Sequence, residues 1–310
     1  MKKNILTISF TLTLFSLPFY LSTLLPASSN TGTDACSFLK MDTGARPVAM
    51  AGAFSGIADD ANSIQYNPAG ISQINKSEIT LSHNEWIEDI RSEYLGYIQP
   101  INKSWTLGLA MNYLYTSGLV KRDIYGNELG ETFGGNDGSS SITLSKKINK
   151  DVFVGTNLKI IREALDEKKD IAYASDFGLL YKLSKLQIGL VAQNIGTKIK
   201  LYQDSFSLPI TFRVGLGYKF AKNTTIGFDI IKSIDNKTDF RLGGEYWLFD
   251  ILAFRAGYKF NPDENTGKGI NAGAGLKYKN YQADFGFVPF GDFGNIYRMS
   301  MTIRFDSVTP

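Results

Sequence analysis

The chain has one cysteine, Cys36, and one histidine, His83, in 310 residues. A single cysteine excludes an intrachain disulfide framework, so an exported fold built from this sequence needs another source of stability, which a large closed sheet supplies. Cys36 does not read as a lipidation site either, because Thr33-Asp34-Ala35 lacks the apolar residue and small pair such sites carry; it reads as a bystander. One histidine excludes a two-histidine metal motif and leaves any Ser-His-Asp arrangement a single candidate base. His83 lies in Ser82-His83-Asn84-Glu85-Trp86, near the end of an alternating run, and reads as a hydrogen-bonded structural residue. Asp59 and Asp60 are adjacent and carry no acid/base spacing. Gly215 with Gly217, and Gly273 with Gly275, repeat at strand period without the strand-to-helix setting of a dinucleotide loop. No catalytic residue, metal ligand or cofactor is assigned, and the chain is not read as an enzyme.

Charge of one sign is also scarce. Lys and Arg number 33 against 30 Asp and Glu, and Lys2 and Lys3 sit in a leader-like stretch, so the remainder is close to neutral. That excludes a basic nucleic-acid footprint. Proline is rare at nine residues, against 21 Phe, 16 Tyr and 30 Gly, a balance that suits many strands and little disorder. After the leader no segment offers 18 consecutive apolar residues, which excludes helical membrane spans in the mature chain.

Residues 1–27 have the form of a secretory signal: Lys2 and Lys3, the apolar stretch Ile5 to Leu25, then Pro26-Ala27, with Ala35 a second candidate cut and an uncleaved anchor the alternative. Residues 28–76 differ from everything that follows. Met41 to Ile74 is dense in Gly and Ala, carries the polar run Asp59-Asp60-Ala61-Asn62, and closes on the turn Asn67-Pro68-Ala69-Gly70. Small residues allow a short helix to approach a wall closely, and Pro47 suits the first turn of a helix beginning after Arg46. The segment is read as an insert.

From Ser77 onward the sequence alternates with period two. Ile210, Phe212, Val214, Leu216, Tyr218 and Phe220 fall on one face, with Thr211, Arg213, Gly215, Gly217 and Lys219 on the other. About fourteen such runs occur, several of ten residues or more, the length tilted strands need to cross a bilayer. Tight links (Asn102-Lys103, Asn149-Lys150-Asp151, Ser184-Lys185, Ala221-Lys222-Asn223, Asp250, Asn280) alternate with longer ones (Ser117 to Gly138, Gly196 to Leu208, Asn261 to Lys268, Gly291 to Asn295), the first hairpin at Glu88-Asp89 excepted. Short turns on one side and long loops on the other fit an outer-membrane barrel, closure leaving no unpaired edge in lipid. Tyr97, Tyr113, Tyr115, Tyr218, Tyr246, Trp247, Tyr258, Tyr278, Tyr281 and Tyr297 are candidates for aromatic girdles, ordinary strand enrichment being the alternative. The inner face carries Arg213, Asp229, Arg241, Glu245, Arg255, Lys259, Lys277, Asp284, Arg298 and Arg304. Carboxylates of the insert, with Asp59 and Asp60 the candidates, are expected to pair with some of these arginines.

The stretch FLKMDTGARPVAMAGAFSGIADDANSIQYNPAG resembles the start of PorV/PorQ-type proteins, themselves similar to the FadL group of outer-membrane barrels. The resemblance continues through SHNEWIEDIRSEYLGY, QNIG, LPITFRVGLGY, EYW, LAFRAGYKF and FVPFGDFGNIYRMS. It departs in Met50-Ala51-Gly52-Ala53, where the family reads Met-Gly-Gly-Ala, and in the five residues after Phe305. The resemblance implies an all-β fold: one transmembrane antiparallel β-barrel of about fourteen strands over residues 77–310, with residues 28–76 forming a partly helical hatch in its lumen. Gly44, Arg46, Pro47, Gly52, Asp59, Asp60, Asn62, Asn67, Pro68 and Gly70 would be the hatch residues, with Asn67 to Gly70 the hinge into the first strand. The implied location is the bacterial outer membrane, in contact with its lipid. The implied function is a type IX secretion-associated factor handling or attaching exported proteins, with those proteins and machinery subunits as partners. The alternative is FadL-like transport of fatty acids or other hydrophobic molecules, and a third reading is a soluble exported β-sheet adhesin.

Overall fold

A computed structural model of the chain describes residues 35–200, 204–260 and 269–306. The leader at 1–27, the start of the insert and the loop at 261–268 lie outside the described residues, as does the chain after Asp306.

Fourteen strands among the described residues form one closed antiparallel barrel. They are β1 (Ser77–Glu85), β2 (Arg91–Pro100), β3 (Trp105–Arg122), β4 (Glu128–Lys147), β5 (Val152–Leu165), β6 (Lys168–Leu183), β7 (Leu186–Gly196), β8 (Thr211–Ala221), β9 (Thr224–Ser233), β10 (Asp239–Leu248), β11 (Leu252–Lys259), β12 (Ile270–Tyr278), β13 (Tyr281–Pro289) and β14 (Asn295–Phe305). Each pairs with its sequence neighbours, and β1 closes on β14 from Ser77↔Phe305 to Glu85↔Tyr297. The period-two pattern decides the faces. In β1, Glu78, Thr80, Ser82 and Asn84 are buried inside while Leu81 is exposed outside. Leu109, Met111, Ile142, Leu158, Ile160, Phe254 and Met299 likewise present apolar side chains outward.

The turns at the face carrying the barrel's two chain ends are short: 101–104, 148–151, 184–185, 222–223, 249–251 and 279–280. The opposite, loop face differs from expectation in one large respect. Ser117 to Gly138 is not a loop, since β3 and β4 continue through it with Leu119↔Phe133 and Val120↔Thr132, leaving only 123–127 as the turn. Asp123 Oδ1 closes that turn, accepting from the backbone N–H groups of Tyr125 and Asn127 at 2.9 Å each. Glycines and polar residues hide this hairpin from a period-two reading, because it lies outside the packed wall and is held by cross-strand backbone bonds. Trp247 also corrects the girdle assignment: it shares the inward parity of Glu245, and the Arg255 guanidinium lies 5.6 Å from its ring centroid.

The insert fills the interior. It opens with a 3-10 turn (Ser37–Lys40), followed by α1 (Ala45–Ala49), α2 (Ser63–Tyr66) and a second 3-10 segment (Pro68–Gln73). α1 begins at Ala45 rather than after Arg46, so Pro47 is its third residue, still within the first turn where no N–H is needed. Gly44 ahead of it has φ 74°, and a Cβ there would collide with the Asn62 side chain.

The path of the insert is written into the wall. Ala45 backs Gly286 of β13, Ala49 backs Gly273 of β12, Met50 and Ala51 back Gly257 of β11, and Met50 also backs Gly243 of β10. Ala53 follows against Gly227 of β9, Gly56 against Gly215 and Gly217 of β8, and Ser55 against Gly189 of β7. Asn67 and Pro68 then meet Gly178 of β6 and Gly155 of β5, and Ile64 and Ile71 meet Gly108 of β3. The insert therefore sweeps round the inside of the barrel nearly strand by strand. Wall glycines allow the contact, since side chains there would occupy the space of the insert's backbone.

Candidate functional site

The lumen is divided chemically. On the side of β10 to β14 the insert is held by charge. Arg46 of α1 donates from Nε and Nη2 to the two carboxylate oxygens of Glu245, both at 2.9 Å. Its Nη1 reaches Asp59 and Asp60 at 2.7 Å each. Glu245 also accepts from Arg255 Nε at 2.7 Å, and Arg255 Nη1 donates to Asp284 at 2.8 Å. Both guanidiniums are buried, where an ion pair is tolerable only with good hydrogen-bond geometry; Arg46 meets Glu245 with a bidentate pair, whereas Arg255 divides single bonds between Glu245 and Asp284 and its Nη2 has no partner among the described residues. A second group forms around Asp42, which accepts from Arg241 Nη1 at 2.8 and 2.7 Å and from Lys259 Nζ at 3.3 Å. Arg298 donates to the Asp42 carbonyl. Burial pushes the Asp42 carboxyl upward, but Arg241 and Lys259 outweigh it and hold the group well below the usual carboxylate range.

The expected pairing is thus rearranged. Asp59 and Asp60 do not bond the wall arginines; they bond Arg46 of their own segment, and Asp42 is the insert carboxylate that reaches Arg241. Asn62 donates from N and Nδ2 to Asp60 Oδ1 at 2.9 Å each. Asn67 is fully buried, donating to the carbonyls of Ser55 and Leu179 and accepting from Ala69 N–H. Pro68 and Gly70 lie beside it, Gly70 against the Ala58 carbonyl. This corner is pinned, and the 3-10 segment Pro68–Gln73 separates it from β1. Gly52 has φ 76° beside Arg241 and Asp42. On the wall, Arg213 donates to Gln193 at 2.9 Å and sits 5.4 Å from the Tyr66 ring centroid. Asp229 accepts from Ser55 N–H at 3.1 Å. Lys277 is half-buried, 6.0 Å from the Trp247 ring centroid. Arg304 bonds Glu78 and Gln282 of the wall, at 2.9 and 3.0 Å.

The β2 to β8 side is more apolar. Ala35, Cys36 and Phe38 of the insert pack with Ile161, Ala172, Ala174, Ile199 and Leu208 towards the loop face, joined by Leu39, Met41 and Leu114. Cys36 Sγ donates to Glu163 at 3.2 Å, and burial first, then the Glu163 charge, pushes the thiol pKa far up. Deeper in, Ile64, Ile71, Tyr94, Ile98 and Ala110 form a second cluster. Between these, Lys159 and Asp176 make a buried ion pair at 2.7 Å that the sequence reading did not include, although their positions share the inward parity of β5 and β6. Asp42, Glu78 and Phe38 were missed as well. Parity marks Glu78, but no periodic signal reaches the two insert residues.

The model of the uncharacterised protein family UPF0164 matches residues 27–207. A UPF0164 protein of Treponema pallidum (strain Nichols) is 24% identical over 168 residues, 47% of this chain and 39% of that protein's length. Among solved structures, the CymD monoaromatic hydrocarbon channel superposes with a TM-score of 0.66 at 12% identity, covering 86% of this chain and 98% of that one. The Ralstonia pickettii toluene transporter TbuX gives 0.65 at 11% identity over 85% and 98%. A Pseudomonas aeruginosa FadL homologue gives 0.60 at 13% over 84% and 98%. The barrel fold is FadL-like.

Proposed function

The chain belongs to the UPF0164 family, and from that membership together with its FadL-like barrel we propose that it is an outer-membrane channel for small hydrophobic molecules, with the insert as its hatch. One observation carries the reading: the insert is anchored by charge on one side of the lumen and seated in apolar side chains on the other. The Cys36–Phe38 turn fills an apolar pocket at the loop face, walled by Ile161, Ala172, Ala174, Ile199 and Leu208. A small apolar molecule competing for that pocket displaces these side chains and the Cys36 bonds to Glu163, and leaves the Arg46 and Asp42 ion pairs in place. The outward apolar belt supports a position in lipid, where a closed sheet leaves no unpaired strand edge. The orientation that follows puts the short turns in the periplasm and the β3–β4 hairpin outside.

The neighbours named as hydrocarbon channels and transporters favour this reading over attachment of exported proteins. The test is uptake of radiolabelled toluene, and separately of a long-chain fatty acid, by cells lacking their own carriers and expressing the full chain. Uptake above vector controls, raised further by Phe38→Ala, is the expected result. Background uptake of both by a barrel verified in the outer membrane refutes the proposal.

A further inference from the structure

Beneath the insert, at the short-turn face, lies a cavity of about 870 Å3. Its roof is the end of the insert, from Ser72 to Asn75, and its sides are the turns after β2 and β4 with the ends of β4, β5 and β6. Four lysines line it, Lys103, Lys147, Lys150 and Lys182, and no carboxylate does. The ammonium groups of Lys147 and Lys182 lie 5.9 and 4.9 Å from the centroid of one ring, Phe153. None of the four makes an ion pair among the described residues. Asp59, the insert carboxylate whose charge reaches Lys182, is already held by Arg46 at 2.7 Å.

Converging cations without a counter-charge repel each other, and the arrangement is relieved by an anion able to face several of them together. Lysines are compact point charges on flexible stems, suited to the outward oxygens of a phosphate rather than to the planar fork of a carboxylate–arginine pair. Phe153, Pro100, Ile101 and Ile74 add apolar wall, which accommodates an organic body beside the charge. We propose that this vestibule binds a phosphate ester, its anionic oxygens among the lysines and its organic part against Phe153. The ester comes either from a soluble compound in the compartment the turns face or from a phospholipid headgroup of the adjoining leaflet. The site stands independently of the transport reading.

The experiment is calorimetric titration of the full-length barrel in a zwitterionic detergent, with phenyl phosphate in one arm and dihexanoyl-phosphatidylglycerol in the other. Saturable binding of at least one probe is expected, weakening as salt rises, and the tighter arm identifies the source. Lys147→Gln with Lys182→Gln is expected to weaken it roughly tenfold, the loss of two partly desolvated charge contacts. Lys222→Gln with Lys279→Gln, on turns of the same face outside the cavity, leaves it unchanged. Heat-shifted migration on gels verifies that each variant is folded. Absence of binding by both probes, or equal loss in the two double variants, overturns the proposal. Toluene uptake is not read here, so failure of the channel reading leaves a separate signature.

Discussion

Arg46→Ala tests whether charge holds the insert in place. The guanidinium makes four charge-assisted bonds, two to Glu245 and one each to Asp59 and Asp60. Their removal leaves one buried guanidinium, Arg255, facing the carboxylates of Glu245 and Asp284, with Asp60 supported only by Asn62. Asp59, with about a third of its side chain exposed, is screened by water and adds little. Breaking a buried pair from one side costs about 3–5 kcal/mol. If that cost falls on the opening of the insert, its open population rises by roughly two to four orders of magnitude. Amide hydrogen exchange across residues 45–62 measures this directly, with strand amides as the internal reference for barrel integrity. A double-mutant cycle with Glu245→Ala should show coupling of about 1.5 kcal/mol or more, because both partners belong to one network. Exchange in Arg46→Ala within about 0.5 kcal/mol of wild type, or additive single variants, refutes the reasoning.

Three further outcomes follow from the same geometry. Gly243→Val pushes a side chain into Met50 while Gly244→Val meets open space, so only the first should loosen the insert, by about 1–3 kcal/mol of overpacking, in protease-susceptibility assays on purified barrels. The Asp42 contact with Arg241 and Lys259 should not respond to mild acid: its folded pKa is depressed, so the stabilisation is complete above the ordinary carboxylate pKa of about 4 and is lost only as pH falls through the lower folded value. Exchange protection at Gly52 that changes between pH 7 and 5 in wild type, but not in Asp42→Asn, would contradict this. Cys36, buried and with its thiol pKa raised, should resist maleimide in the native barrel and react after unfolding; native labelling at the unfolded rate would show that the turn is not seated.

The barrel was legible because a closed sheet prints its geometry on every strand. One side chain in two meets lipid or solvent and the next meets the interior, so the faces of β8 or β14 can be counted without knowing any contact. For the same reason parity placed Arg213, Arg241, Glu245, Arg255 and Asp284 inside. It failed at the β3–β4 hairpin, where strands leave the wall and the pairing is held by backbone bonds and exposed ion pairs such as Arg122–Glu128. At Trp247 parity was right and the residue-type assignment to the girdle was wrong, since its parity points inward.

The insert was legible as an exception in composition, and the tertiary structure alone decided its contacts. Its helices are too short to impose a repeat, so nothing local says that Asp42 meets Arg241 across 199 residues or that Asp60 turns to Arg46. Those choices depend on where the backbone lies against the wall, and the wall glycines set that position from strands far along the chain. The sequence by itself determined an alternating chain able to close and a small-residue segment able to fit within it. Only the closed fold decided which charges become partners, because burial removes water as the competing ligand and leaves each ionic group the few partners within reach.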